Sequence, residues 1–315
     1  MNGGVLAFSG GIGGAKLALG LSRVLESGAL TVIANTGDDF EHLGLSISPD
    51  IDTLLYTLAG IDNPDTGWGC RDETWNFMAA LERLGGETWF KLGDRDLATH
   101  VERTRRLHAG EPLSRITDDF ARRLGVPARI VPMSDEPVRT CVRTPDGWLE
   151  FQHYFVRLQC TPKVLELRFA GAESAQPVRA WIDALADPSL RAVVICPSNP
   201  FISIDPILAV PGVRDALRAC RAPRIAVSPI IAGKAVKGPT AKMMEELGMP
   251  VTAAAVAAHY DGLIDGYLMD EADAGSTPDE PRVRHAATLM RTLADRERLA
   301  RDVLAFADEL RTSRR

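Results

Sequence analysis

Between Val5 and Leu25 the chain reads VLAFSGGIGGAKLALGLSRVL, and this stretch restricts the available folds more than any other. Val5–Phe8 is an apolar run of strand length, Ser9–Gly14 is nearly all glycine, and apolar residues recur at helical spacing from Ala15. A strand, a tight loop and a helix are expected in that order. Glycine lets the backbone turn sharply and come close to a ligand, and the exposed N–H groups at a helix start favour an anion. The expected occupant is a phosphate held by Ser9, Gly10, Gly11, Gly13, Gly14 and Lys16. The loop matches neither the G-x-G-x-x-G dinucleotide fingerprint nor a P-loop, because Lys16 is followed by Leu17. A plain strand-to-helix turn is therefore the competing reading.

Composition narrows the function classes. With 315 residues, 45% apolar and 25% charged, the chain can bury a substantial core as one large or two modest domains. A net charge of −6 argues against a dedicated nucleic-acid binder, which needs a net basic face. The five cysteines are scattered, odd in number and form no C-x-x-C pair, so neither a disulfide framework nor a zinc site is indicated. No basic leader precedes the first strand and no apolar run reaches the roughly 18 residues of a membrane span. A soluble, cytoplasmic protein is expected.

The α/β pattern continues with Leu30–Ala34, a β-rich run ending in Asn35-Thr36-Gly37-Asp38-Asp39. In an open parallel sheet, ligands gather at the carboxyl ends of the strands, where the glycine loop and this acidic tip would meet. Adjacent carboxylates beside a phosphate suggest Mg²⁺; alternatively, Asp38 and Asp39 form a solvated turn or cap a helix. Pro49 opens a helix to about Leu58, with Ser48 as a cap and Asp50 and Asp52 in its first turn. Capping explains both aspartates; the functional reading turns one of them into the cleft, toward a substrate hydroxyl.

A helix is expected from about Asp72, and Thr88–Leu92 reads as a strand followed by the charge set Lys91, Asp94, Arg95, Asp96. Such charges at a buried strand end must pair with each other or meet a ligand. Helices over about 96–109 and 114–124 lead to three expected antiparallel strands, Arg129–Pro132, Val138–Thr144 and Trp148–Val156, the last holding a packed His153. Residues 61–159 thus read as an inserted helical and β-hairpin subdomain over the cleft, with 1–60 and 160–315 forming the core. From Gln176 helix and strand alternate again. Ala192–Cys196 ends in Pro197-Ser198-Asn199-Pro200, whose Ser198 and Asn199, with Ser203, suit a ribose, base or phosphate, or simply make a rigid turn. Arg224–Val227 leads to Lys234 and Lys237 among glycines, able to neutralise phosphate or to do nothing of the kind. A short polar loop at 271–281 and an external helix over about 284–312 complete the chain.

The blocks GG-x-GG-A-K-L, N-T-G-D-D, I-S-P-D-x-D-T-L-L-Y, K-L-G-D-R-D-L-A-T-H, P-M-S-D-E-P-V, P-S-N-P-x-x-S-I-x-P-I-L and S-P-I-I-A-G-K-x-x-x-G-P occur in that order and span nearly the whole chain. Together they resemble the 2-phospho-L-lactate transferase (CofD/FbiA) family of coenzyme F420 biosynthesis. The resemblance implies an α/β fold with a Rossmann-like, mostly parallel sheet, a homodimer and Mg²⁺ dependence. It also implies transfer of a phospholactyl or phosphoenolpyruvyl unit from a guanosine diphosphate-linked donor to the deazaflavin FO, with GMP leaving. A guanylyltransferase would supply the donor. By motif, Asp38 matches the metal-binding aspartate, and Asp52 and Lys91 match the FO-contacting pair; Asp38 and Asp52 are the catalytic candidates. A gluconeogenesis-factor protein that binds nucleotide-sugars without transfer chemistry should lack the blocks containing Asp52 and Lys91. A nicotinamide enzyme should show a hydride-transfer pair, and none is evident.

Overall fold

The computed structural model describes residues 3–236, 238–275 and 282–312. Seven strands form one sheet: β1 (Val5–Ser9), β2 (Leu30–Ala34), β3 (Arg129–Pro132), β4 (Ala192–Ile195), β5 (Arg224–Val227), β6 (Gly266–Asp270) and β7 (Val283–Ala286). Their spatial order is 3-2-1-4-5-6-7 and every pairing is parallel. This is the doubly wound Rossmann order, with its reversal between β1 and β4. The inner strands β1, β2, β4, β5 and β6 are buried on both faces, which is why they read as largely apolar runs, while the edge strand β7 is only half-buried. Leu6 and Phe8 of β1 point into one core with Trp181 and Phe201, while Val5 and Ala7 point into the other with Leu17, Leu54 and Leu299.

Helix α1 (Gly11–Val24) begins inside the expected glycine loop, four residues before Ala15. It lies against the long helix Leu293–Thr312, where a Cβ on Gly20 would strike the backbone carbonyl of Arg296. That long helix is accordingly half of a tight crossing and buries Leu299, Val303 and Phe306, so it is not an external appendage, and Val283–Ala286 ahead of it is a strand. Helix α2 (Pro49–Ala59) also packs on α1.

The middle of the chain departs from the expected pattern in four places. Arg129–Pro132 is not antiparallel: with Ile130 and Val131 buried it joins the main sheet beside β2, Thr31 opposite Arg129 and Ala34 opposite Pro132. Only Gly147–Glu150 of the stretch 148–156 is strand, pairing with Arg139–Thr144, which in turn pairs with Glu166–Ala170. From Phe151 the backbone turns helical because Phe151, Tyr154 and Phe155 recur at i, i+3, i+4, and His153 therefore sits in a helix. Thr88–Leu92 makes no ladder, since Trp89 and Phe90 turn against Phe40 in a small separate core. The helix expected from Asp72 starts later, as α3 (Asn76–Arg83), because Asp72 adopts a φ of +54°. Helices α4 (Asp94–His108) and α5 (Leu113–Arg123) follow. The two-strand hairpin Phe40–His42/Leu45–Ile47 turns through Leu43 and Gly44, both at positive φ. The loop at 271–281 is described only to residue 275, so its remaining part and Lys237 lie outside the described residues.

Candidate active site

A cavity of about 730 Å³ opens at the carboxyl ends of β1 and β4, where the strand order reverses. Its floor is the turn from β1 into α1 (Gly10, Gly11, Ile12, Gly13) and the turn after β4 (Pro197, Ser198, Asn199). The two turns touch: a Cβ on Gly13 would strike the carbonyl oxygen of Pro197, so only glycine lets them close together. Ser198 Oγ accepts from the Gly10 N–H (3.2 Å) and donates to the Gly10 carbonyl (2.9 Å). Gly11 N–H donates to Asp50 Oδ1 at 2.6 Å.

These bonds revise the expected phosphate cradle. The Gly10 and Gly11 amides are already engaged by Ser198 and Asp50. Ser9 and Gly14 do not line the cavity: Ser9 is buried beneath α1, and Gly14 is glycine because a Cβ there would meet the hydroxyls of Ser9 and Ser198. Lys16, Ser198, Asn199 and Ser203 do line it. Lys16 Nζ donates to the Met290 carbonyl at 3.2 Å, and Asn199 Oδ1 accepts from the Phe201 N–H at 3.0 Å.

The acidic wall is built around Asn35 at the end of β2. Its Nδ2 lies 3.2 Å from Asp38 Oδ1, 2.9 Å from Asp50 Oδ2 and 3.1 Å from the Ile202 carbonyl, while its Oδ1 accepts from Gly37 N–H at 2.8 Å. Asp38 and Asp50 both line the cavity and are nearly buried, and neither has a cation in its hydrogen-bond set. Burial, and then the charge of Asp50, push the Asp38 carboxyl well above its ordinary range; burial pushes Asp50 up to about 6 against the hydrogen bonds from Asn35 and Gly11. Asp39, by contrast, faces away from the cavity. It accepts from Ser48 Oγ at 2.7 Å, and burial raises it to about 7 with Arg139 opposing. Ser48 thus serves Asp39 and does not cap α2.

Asp52 also lines the cavity, but its two oxygens accept from the guanidinium of Arg103 on α4, Oδ2 at 3.1 Å from Nη1. Arg103 is buried to 1% exposure, so this is an internal ion pair. Beside it, His100 places Nδ1 3.6 Å from Asp52 Oδ2 and Nε2 3.3 Å from Asp96 Oδ1, and Tyr56 donates to Asp96 at 2.7 Å. Burial raises the Asp96 carboxyl, but its contacts with His100, Tyr56 and Arg103 outweigh this and leave it below the usual range. Burial, with Asp52 and Asp96 adding to it, pushes the Tyr56 phenol well up.

The charge set after Trp89 divides by role. Lys91 and Asp96 reach the cavity; Asp94 and Arg95 do not. Asp94 accepts from Thr74 Oγ1 (2.6 Å) and from the Asn76 and Phe77 N–H groups, capping α3 from the start of α4, and these bonds lower it to about 2. Glu73 returns the arrangement by accepting from the Arg95 and Asp96 N–H groups, while Arg95 Nη1 donates to the Arg71 carbonyl. Lys234 is exposed in a short hairpin whose Ile231 lines the cavity, but Lys234 itself does not.

The lining also includes an aromatic wall of Trp68, Trp89, Phe90, Phe151 and Phe155. Trp89 lies 4.8 Å from the His153 ring at 32°, and Phe151 stacks on Phe155 at 5.3 Å. Gln152 Nε2 ties this wall to the other by donating to the Asp38 carbonyl at 3.2 Å. Asn35, Arg103 and this aromatic set help build the cavity, and sequence reasoning did not single them out. Asn35 had a signal in its N-T-G-D-D block, whereas Arg103 is one basic residue in an arginine-rich helix and carried none.

Two divalent-ion sites can be tested against these donors. Asp52, Asp96 and His100 bring ligand atoms within 4.8 Å of one another, yet the guanidinium already held by Asp52 is a poor neighbour for a cation. Asp38 and Asp50 offer hard oxygen donors, buried, uncompensated and facing the cavity, which fits Mg²⁺ better.

Among solved structures the chain is similar to BH3568 from Bacillus halodurans, with a TM-score of 0.56 and 16% identity over 86% of this chain and 81% of that one. A second structure of that protein, described as a member of the UPF0052 family, gives 0.55 and 17%. At that identity the likeness shows the fold. In sequence, the chain is 40% identical to a phosphoenolpyruvate transferase of Streptomyces griseus, covering 98% of this chain and 99% of the relative. It is 41% identical to one of Mycobacterium ulcerans, covering 89% and 92%. The profile of "2-phospho-L-lactate transferase CofD" matches residues 5–307. The family profile and the full-length relatives favour a transferase over a non-catalytic nucleotide-sugar binder, and the chain belongs to the 2-phospho-L-lactate transferase CofD family, the transferases of coenzyme F420 biosynthesis.

Proposed function

We propose that the protein transfers a phosphoenolpyruvyl unit from a guanosine diphosphate-linked donor to the terminal ribityl hydroxyl of FO, yielding dehydro-F420-0 and GMP. The observation that carries this is one continuous cavity that combines a glycine and carboxylate floor with a set of aromatic side chains. The first suits a diphosphate and the second a flat deazaflavin ring. The enolpyruvyl donor is chosen because the relatives at about 40% identity over nearly full length carry the name phosphoenolpyruvate transferase. The phospholactyl donor is the second reading, favoured by the description of the family profile.

Phosphoryl transfer asks mainly for positioning and charge neutralisation. Asp38 and Asp50 would hold Mg²⁺, whose contribution when bound is to offset the diphosphate charge. Lys16, Ser198, Asn199 and Ser203 line the same cavity and would hold phosphate and ribose; Lys91, Asp52 and the aromatic side chains also line it and would meet FO. The enzyme would work in the cytoplasm as a homodimer, fed by a guanylyltransferase. Of the segment 61–159, Arg129–Pro132 belongs to the main sheet, and the remainder, which supplies both α4 and the aromatic residues Trp68, Trp89, Phe90, Phe151 and Phe155, would act as the cover of the cleft. The test is mass spectrometry of the product formed from FO, GTP and phosphoenolpyruvate, 2-phospholactate or 3-phosphoglycerate with a partner guanylyltransferase. The dehydro product is expected to dominate; F420-0 as the dominant product would select the second reading, and no product from any acid would remove the assignment.

A further inference from the structure

The geometry points to Gln152 as the residue that receives the attacking hydroxyl of the acceptor alcohol and holds it beside the acidic wall. This rests on the transferase reading above and gives a role to a residue outside the sequence motifs. The two ends of a glutamine amide differ, and here they can be told apart. The Asp38 carbonyl can only accept, so the end of Gln152 that meets it at 3.2 Å is the nitrogen. Oε1 is the other end, and it accepts no hydrogen bond among the described residues. Gln152 is 4% exposed, yet Oε1 is not sealed in as Asp39 Oδ1 is, and the open space that Gln152 borders is the cavity. An acceptor left unpaired in so buried a side chain is costly unless a ligand or water supplies the donor. Asn199 Oδ1 and Ser198 Oγ, by contrast, are taken by the Phe201 and Gly10 N–H groups.

The fold holds this oxygen in place. His153–Arg157 is a π-helical turn, and from it and its flanks Phe151, Gln152, Phe155, Val156 and Gln159 border the cavity. Tyr154 of the same turn is fully buried in the core, where Lys242 donates to its hydroxyl at 3.3 Å and to the Pro162 carbonyl at 2.8 Å. Anchored to Asp38 through Gln152 and to Lys242 through Tyr154, the turn keeps Oε1 at the cleft. Gln152 thus joins two aromatic neighbours, Phe151 and Phe155, to the main chain of Asp38, whose carboxylate would help hold the ion. A polyol joined to a flat ring must cross that junction for its terminal oxygen to reach phosphorus. There Oε1 accepts from the terminal O–H and leaves the lone pairs of the alcohol oxygen free for the donor phosphorus. A neutral amide takes no proton, so Gln152 orients the hydroxyl and breaks no bond in it.

The experiment titrates FO, and FO lacking the terminal ribityl hydroxyl, into wild type, Gln152→Met and Gln152→Ala as full-length proteins, by deazaflavin fluorescence in EDTA without donor. Wild type is expected to bind the deoxy compound about tenfold more weakly than FO, because Oε1 is then left unpaired. Both variants should bind the two compounds within about twofold of each other. Their kcat with FO, measured with Mg²⁺ and donor made in situ by excess guanylyltransferase, should fall about tenfold. A mere structural tie to Asp38 would weaken both compounds alike and keep the wild-type ratio. That ratio unchanged in a folded variant would overturn the inference, as would equal binding of the two compounds by wild type, or a variant kcat within about twofold of wild type. If wild type binds no FO in EDTA the ratios are read in Mg²⁺, and if it binds none in either the transferase reading fails, which is a different result. Should Gln152→Met not fold, Gln152→Ala decides alone, and if neither folds the side chain is a structural tie and the inference falls.

Discussion

At the scale of single residues, the site is governed by what accompanies each carboxylate. Asp52 has a guanidinium, Asp96 a histidine and a phenol, and Asp39 a serine and a distant arginine; Asp38 and Asp50 have one shared amide and one backbone N–H. Two carboxylates held that way cannot both ionise cheaply unless a cation joins them. We therefore expect Asp38→Asn to abolish transfer while leaving the melting temperature in the absence of Mg²⁺ equal to or above that of wild type. A wild-type rate at limiting Mg²⁺ would remove Asp38 from the metal site. Removing one partner of the buried pair should do the opposite. Arg103→Met strands Asp52 and should cost about 3–5 kcal/mol of stability, measured by urea unfolding, far more than any exposed arginine of α4. Asp38, Asp50 and Asp52 were legible as cavity candidates because each lies next to a strand end or helix start that the apolar pattern fixed, whereas Lys91 was reached only through its motif, on a strand that does not form. The same pattern misplaced Asp39 and Asp94 because adjacent carboxylates look alike in sequence, and only the fold decides which turns outward.

At the scale of elements, the turn after β1 and the turn after β4 are the pair on which the cleft depends. Their apposition is set by backbone contact, Gly13 against the Pro197 carbonyl. We expect Gly13→Ala to push them apart, lowering GDP affinity in calorimetry while FO binding stays near wild type; equal losses for both ligands would mean that the whole cleft had shifted. A second element-scale device is the exchange of caps between α3 and α4, in which Asp94 takes the N–H groups at the start of α3 and Glu73 those at the start of α4. It anchors both ends of the segment that delivers Trp89, Phe90 and Lys91. Asp94→Ala should weaken FO binding more than it lowers the melting temperature, as measured by fluorescence titration beside a thermal melt. The parallel strands were legible because burial on both faces leaves a continuous apolar run, as in Val5–Phe8 and Leu30–Ala34. The region 60–160 was not, since β3 looks like any short strand until its neighbour is known, and Trp89-Phe90 has strand composition but spends it on a satellite core.

At the scale of the whole molecule, gathering these carboxylates beneath one cavity makes stability depend on pH in an unusual direction. Asp39 and Asp50 are raised by burial to about 7 and about 6 from an ordinary value of 3.8. Between those limits the folded protein keeps protons that the unfolded chain has released. Stability therefore falls as pH rises from about 4 to about 7, the reverse of the salt-bridged aspartate, for which stability is lost on acidification. A carboxyl whose pKa moves by one on folding changes stability by about 1.4 kcal/mol; Asp94, whose lowered carboxyl acts only below about pH 4, does not oppose this slope, whereas His42, lowered by burial, does. A cation bound at Asp38 and Asp50 favours their ionised forms and should cancel part of the slope, whereas Asp39 faces away from the cavity and keeps its share. Melting temperatures from about pH 4.5 to about 7.5 are thus expected to decline in EDTA, to decline less with millimolar Mg²⁺, to decline less steeply in Asp39→Asn in EDTA, and to flatten in that variant only when the ion is present. A rise with pH in EDTA would mean that the carboxylates are compensated within the fold, leaving no electrostatic reason for a metal at the strand reversal.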